Sequence, residues 1–241
     1  MKATAPASRH SDRIRPLDAL RAIRALIRNP DETALVFEII EALSGKTRTR
    51  VYDRFCRSES GQRLLASQPN LLARLTDRAA LLALPAGTLG RSYGEFMSRE
   101  QISADGLVEA SEDWLRDDLP ADRRWFADRL RDTHDLWHVV TGYGRDLIGE
   151  ASLLAFTYAQ TRNPGIGFIV AVAYLKARGI NRPARRLLRE GYRRGRRAAW
   201  LPGVEWESLL EQPLARVREQ LGVGEPPAYQ QVRSEGAPAL A

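Results

Sequence analysis

Apolar residues recur along this chain at intervals of three and four, the spacing that lines one face of an α-helix. Residues 17–28, LDALRAIRALIR, place Leu20, Ile23, Leu26 and Ile27 on one stripe. Asn29-Pro30 stops that helix, Asp31 is placed to cap the next, ETALVFEIIEAL, and Gly45 ends it. Shorter helices follow over 49–56 and 61–84, broken near Gln68-Pro69, with a turn at Pro85 and Gly87. Residues 88–100 set Leu89, Tyr93 and Phe96 on one side, and the acidic stretch 101–120 reads as a short helix within a loop. From Asp122 to about Val140, Trp125, Leu130, His134, Trp137 and His138 keep helical intervals up to Gly142 and Gly144. Another helix starts near Asp146 and runs to Tyr158. Asn163-Pro164 opens an apolar helix over 165–177, Gly179 ends it, and Pro183 opens an arginine-rich one. There is no alternating period-two run, no hairpin signal between apolar strands and no repeat of fixed period. The pattern predicts an all-α fold, a single-domain bundle of about eight to ten helices over residues 16–222. A flexible tail over 1–15 and a disordered Pro- and Gly-rich tail over 223–241 flank it.

At 241 residues, with 44% hydrophobic and 28% charged positions, the chain has the composition of a soluble globular protein. Its one cysteine, Cys56, excludes an internal disulfide framework and a cysteine-based structural zinc site, and fits a reducing, cytosolic compartment. The longest apolar run, GIGFIVAVAYL over 165–175, is too short to span a bilayer, and the N-terminus has no apolar signal core.

Basic residues exceed acidic by seven, and the excess is local: residues 176–200 hold ten Lys/Arg against one acid, Glu190. A nucleic-acid binder shows a broader basic face, so no nucleic-acid partner is expected. On the arginine-rich helix, Leu187, Leu188, Gly191, Tyr192, Gly195, Ala198 and Ala199 form one stripe. Arg185, Arg186, Arg189, Arg193, Arg196 and Arg197 form the other. Such a helix can lie on an anionic membrane surface or receive a phosphate or carboxylate; the plainer alternative is a solvated helix packed by its apolar face.

Two of the chain's three histidines lie four residues apart in HDLWHVVTGYGRDLIGE, residues 134–150. On a helix, His134 and His138 fall about 40° apart and Asp135 lies in the same quadrant, so three side chains can converge on one ion. Glu150 lies twelve residues beyond His138, roughly 18 Å away along a straight helix. It joins them only if the backbone reverses, and Gly142, Gly144 and Gly149 supply the freedom for that. Two imidazoles with one or two carboxylates suit zinc with an open position, and equally a two-histidine, one-carboxylate Fe(II) site. Asp135 either ligates or orients an imidazole. Arg145 is placed to hold a substrate carboxylate or to pair with a local acid such as Asp146. The zinc peptidase signature would need Glu where Asp135 stands. A His-Asp phosphohydrolase would need an upstream histidine, for which only His10 offers itself. A ferritin-like di-iron site would need Glu three residues before a histidine.

The stretch HDLWHVVTGYGRDLIGE resembles the HDxxH-x(11)-E segment of the ubiquinone (coenzyme Q) biosynthesis protein family Coq4, with His134, Asp135, His138 and Glu150 in register. LPAGTLGRSYGEFM, residues 84–97, is similar to that family's second recurrent segment. The resemblance covers roughly residues 16–222. It implies a helical protein peripheral to a membrane, with a divalent metal, usually zinc and alternatively Fe(II), held by those four positions. It implies ubiquinone biosynthesis on a prenylated 4-hydroxybenzoate-derived precursor, with metal-assisted oxidative decarboxylation (hydroxylation) at ring C1; such a substrate is expected to reach the metal at the floor of an apolar tunnel. Its alternative is a non-catalytic prenyl-lipid-binding scaffold that organises the other ubiquinone-biosynthesis enzymes. The arginine bias points to a bacterial member, cytoplasmic and on the inner face of its membrane, with a homodimer left open. Within 165–175, Gly165, Gly167 and Ala171 offer small surfaces along which a lipid could lie; a packed core helix is the plain alternative.

Overall fold

The computed structural model describes residues 13–30, 32–102, 119–178 and 182–233, and among them the regular structure is helical, with no strand. The expected cap Asp31, the body of the acidic loop helix, the stop at Gly179 and residues 1–12 and 234–241 lie outside the described residues. The helices are α1 Pro16–Arg28, α2 Thr33–Ser44, α3 Thr47–Arg57, α4 Glu59–Ser67, α5 Leu71–Thr76, α6 Arg78–Ala83 and α7 Leu89–Arg99. Then follow α8 Ala121–Asp132, α9 His134–Thr141, α10 Leu147–Thr161, α11 Pro164–Lys176, α12 Arg182–Arg197 and α13 Leu214–Leu221.

The main core gathers α7, α9, α10, α12 and α13, with Leu89, Tyr93, Leu136, Val140, Tyr143, Leu153, Phe156 and Val217 almost wholly removed from water. Its closest pairing is α10 against α12, and glycine makes it possible. A Cβ on Gly191 would stand 2.4 Å from the Ser152 carbonyl oxygen, and one on Gly195 2.5 Å from that of Phe156. The stripe of small residues read on the arginine-rich helix is therefore a contact surface between helices. Gly90 and Gly94 play the same part in α7, where a Cβ would press on Leu84 and Leu82.

Two elements depart from the sequence pattern. In α1 the buried stripe is Ala19, Ala22, Ile23 and Leu26, while Leu20 and Ile27 are exposed. The two alanines let α2 approach closely, which turns the larger side chains outward. The helix expected from Asp122 to Val140 breaks at Thr133, whose hydroxyl donates to the Leu130 carbonyl at 3.0 Å. Such back-bonding competes with the helical ladder. Above the break, Arg129 is buried and grips Glu207 through both guanidinium nitrogens, at 2.6 and 2.9 Å.

The apolar helix α11 starts as its Asn163-Pro164 signal requires. The Asn163 side chain accepts from the Gly165 and Ile166 amides and donates to the Ser44 hydroxyl at 2.8 Å. Its glycines face protein: Gly165 lies on the Ile39–Ile40 backbone of α2, and Gly167 on the Tyr158 ring. Ala171 and Leu175 face outward. Gly195→Ala should lower stability by about 1–3 kcal/mol through forced separation of α10 and α12. Urea denaturation checks this, and an unchanged midpoint would show that the two helices part at no cost.

Candidate metal centre

The HDLWHVVT segment forms α9, and Gly142 ends it in the left-handed region, φ +76°, with its amide donating to the His138 carbonyl. Four residues later Asp146 starts α10, accepting from the Ile148 and Gly149 amides at 3.1 and 3.2 Å. The reversal between them brings Glu150 back to the histidines; of the three glycines only Gly142 takes a left-handed φ, while Gly144 and Gly149 allow close approach of neighbouring groups. His138 Nε2 lies 3.2 Å from His134 Nε2 and 3.4 Å from Glu150 Oε1, and His134 Nε2 lies 3.9 Å from Glu150 Oε2.

These separations fit a cation. Four tetrahedral ligands at about 2.0–2.1 Å from an ion stand about 3.3 Å apart. His138 Nδ1 donates to the Tyr143 carbonyl at 2.9 Å, which commits that nitrogen's proton and turns Nε2 inward. Two inward imidazole nitrogens at 3.2 Å repel unless a proton or a cation stands between them. His134, His138 and Glu150 each offer one ligand atom within 4.8 Å of the others. Asp135 is buried beside them and its charge favours the protonated form of each imidazole without deciding the shift of either, and it stands outside that group. Its position suits the orienting role more than direct ligation.

The electrostatics divide the histidines. Burial and the neighbouring His138 hold His134 below its ordinary pKa. Burial also opposes charge on His138, but the Glu150 carboxylate and its hydrogen bond outweigh it and raise the pKa. On Glu150 the desolvation is outweighed by His138, His134 and Arg145, which draw its pKa down to about 2. Arg145 places Nε 3.7 Å from Glu150 Oε1. The local acid it meets is therefore Glu150, while Asp146 is occupied as a cap.

The shell around α9 draws on three other helices. Phe96 of α7 stacks on the His138 ring, centroids 5.7 Å apart, so the two sequence segments singled out above are in contact. Arg218 of α13 donates to the Val139 and Val140 carbonyls, and Arg194 of α12 to that of Thr141. Two guanidiniums thus satisfy carbonyls that the end of α9 leaves open. Arg194 belongs to neither stripe read from the arginine-rich sequence.

Residues 223–233, assigned to a loose tail by composition, cross the reversal instead. Pro226 covers Gly142, where an added Cβ would meet it at 2.5 Å. The Tyr229 hydroxyl donates to Asp146 Oδ2 at 2.6 Å and accepts from the Gly144 amide at 2.9 Å. The Val232 amide donates to Asp146 Oδ1, and the Val232 carbonyl accepts from Leu147.

Residues 14–227 match the family model of the coenzyme Q (ubiquinone) biosynthesis protein Coq4. The chain belongs to the Coq4 family. Among its relatives, the mitochondrial ubiquinone biosynthesis protein coq4 of Talaromyces stipitatus is 31% identical over 202 residues, 81% of this chain and 69% of that one. The Botryotinia fuckeliana protein is 31% identical over 76% of this chain and spans 64% of its own length. The Rattus norvegicus Coq4 homologue is 27% identical over 83% of this chain and 75% of that one. The present chain thus spans roughly two thirds of the length of the Talaromyces and Botryotinia proteins. A crystal structure from Nostoc punctiforme PCC 73102, assigned to ubiquinone biosynthesis, superposes with a TM-score of 0.63 at 23% identity. It covers 88% of this chain and 100% of that one, a likeness of fold.

Three outcomes are expected. In the metal-free protein, proton NMR titration should place His138 above 6.5 and His134 below it. The raised His138 value stabilises the fold below the unfolded pKa, and that contribution is lost as pH rises through the folded one. For His134 the sign reverses, with stability falling as pH drops below its unfolded pKa. Equal values for both rings would contradict the arrangement. Tyr229→Phe should weaken divalent-metal affinity by up to about tenfold, because it loosens Asp146, which starts the helix that carries Glu150. Competition with a fluorescent chelator measures it, while His138→Ala should abolish stoichiometric metal by elemental analysis.

Proposed function

We propose that this Coq4 chain acts in ubiquinone biosynthesis by exchanging the ring C1 carboxylate of a prenylated 4-hydroxybenzoate-derived precursor for a hydroxyl. The observation that carries the reading is the convergence of His134, His138 and Glu150, with Arg145 at their edge, in a chain of this family. The overall change removes the carboxyl carbon as carbon dioxide. Dioxygen supplies the new ring oxygen, its other atom leaves as water, and a two-electron reductant completes the balance.

The three side chains would hold a divalent cation, zinc or Fe(II), which when bound polarises a substrate oxygen as a Lewis acid. Arg145 binds the carboxylate through its guanidinium edge, in exchange for its present contact with Glu150. Phe96 stacks on His138 and gives that side of the site an apolar wall. The Tyr143 carbonyl keeps the His138 proton on Nδ1, so that Nε2 keeps its lone pair for the site.

The prenylated precursor calls for a place at a membrane surface. No described helix is long and apolar enough to cross a membrane. Leu17, Ile27 and Leu175 are exposed apolar side chains able to meet an interface. There the protein would act beside other ubiquinone-biosynthesis enzymes.

The test uses purified, metal-loaded protein with carboxyl-labelled prenyl hydroxybenzoate, dioxygen and a reductant. Labelled carbon dioxide should appear in step with the new phenol and fall to background in Glu150→Gln. Tight lipid binding with no carbon dioxide release in the parent protein would replace this reading with the scaffold one.

A further inference from the structure

A second cluster of charge lies on other residues. Where α3, the end of α10 and α12 meet Trp200, a cavity of about 240 Å³ is lined by Arg54, Arg162 and Arg196. No acidic residue lines it among the described residues. Elsewhere arginines of this chain find carboxylates, as Arg48 does with Glu41, Arg63 with Glu205 and Arg129 with Glu207. The three cavity arginines form no ion pair among the described residues.

Aromatic rings hold two of them. The Arg54 guanidinium lies 4.3 Å from the Trp200 ring centroid. Arg162 lies 5.8 and 5.5 Å from the Tyr158 and Tyr192 rings and donates to the Tyr192 hydroxyl at 2.8 Å. Stacking occupies the faces of a guanidinium and leaves N–H edges for an acceptor. The floor is fixed, because the Gln160 side chain already donates to the Gly195 carbonyl and accepts from the Leu201 amide. Burial without a counter-ion lowers the Arg54 pKa, and the Arg162 hydrogen bond, together with Arg196, lowers that of Tyr192. The local field is positive and unneutralised.

Arg162 ends α10 in the left-handed region, φ +56°, where glycine is the favoured residue. Gln68 ends α4 in the same region, so the backbone there accepts a non-glycine residue, and glycine at 162 would fit it without strain.

We propose that this cavity binds a phosphate group, presented either by a soluble phosphate monoester or by a lipid headgroup. Guanidinium edges match phosphate oxygens two at a time, and three cations answer a dianion. The site shares no residue with the His134–Glu150 centre and stands or falls apart from it.

The test takes the full chain and two probes, glycerol 3-phosphate by isothermal titration calorimetry and phosphatidylcholine vesicles with and without phosphatidic acid by cosedimentation. At least one probe should bind saturably. Arg162→Gly and Arg196→Gln should each weaken that binding by about tenfold, the equivalent of one charge-assisted hydrogen bond. Arg162→Gly should keep a thermal midpoint no lower than the parent's, because glycine suits the backbone there, so lost binding cannot be lost folding. Arg186→Gln, an exposed arginine of α12 outside the cavity, should bind as the parent does. Selection of phosphatidic acid vesicles that is lost in the cavity variants assigns the phosphate to lipid. Binding of glycerol 3-phosphate without vesicle selection assigns it to a soluble ligand. No saturable binding of either probe, or equal weakening by Arg186→Gln, overturns the proposal.

Discussion

One hydrogen bond, from His138 Nδ1 to the Tyr143 carbonyl, sets the terms for the candidate centre. It spans the helix end, since its donor is on α9 and its acceptor lies one residue past Gly142. The imidazole can make it only if the backbone has already turned back on itself. The same bond fixes which nitrogen faces inward, and the inward nitrogen fixes where Glu150 must arrive. Ring orientation, chain reversal and ligand spacing are therefore one constraint seen from three residues.

The rest of the fold holds that constraint still. Arg218 and Arg194 take up carbonyls at the end of α9, Phe96 stacks on the ring, and Asp146 starts the returning helix. α10 is in turn pressed against α12 through Gly191 and Gly195, where an added Cβ would meet the backbone of α10. A shift of α12 would thus carry both α10 and the Arg194 clamp with it. The arginine-rich helix, read from its charge as a surface for partners, also does structural work on its inner side. Its outer cations remain available for ligands such as the proposed phosphate.

Much of the centre was legible because it is local. His134, His138 and Glu150 fall within seventeen residues, and left-handed glycine and an aspartate cap are short-range signals that physics reads in only a few ways. The all-α class followed from periodicity for the same reason. What stayed hidden depends on distant partners or on small competitions. Tyr229 meets Asp146 across 83 residues and Arg218 meets Val140 across 78, and no pattern near either residue announces the other. The break at Thr133 turns on one hydroxyl choosing a carbonyl. The stripe of α1 is set by alanines, which a search for large apolar residues passes over. Asp135 lies in the histidines' quadrant and buried beside them, and a helical wheel does not say whether a short side chain there reaches an ion or only a neighbouring ring.

The strap over Gly142 and Asp146 has a consequence in time. The imidazole pair and its returning carboxylate leave the ribosome close together, yet Pro226, Tyr229 and Val232 emerge some eighty residues later. A nascent chain therefore displays these three side chains before it can lock them, and rigidity at the candidate centre is withheld until synthesis has passed α13. In this protein the order of translation places the fastening last.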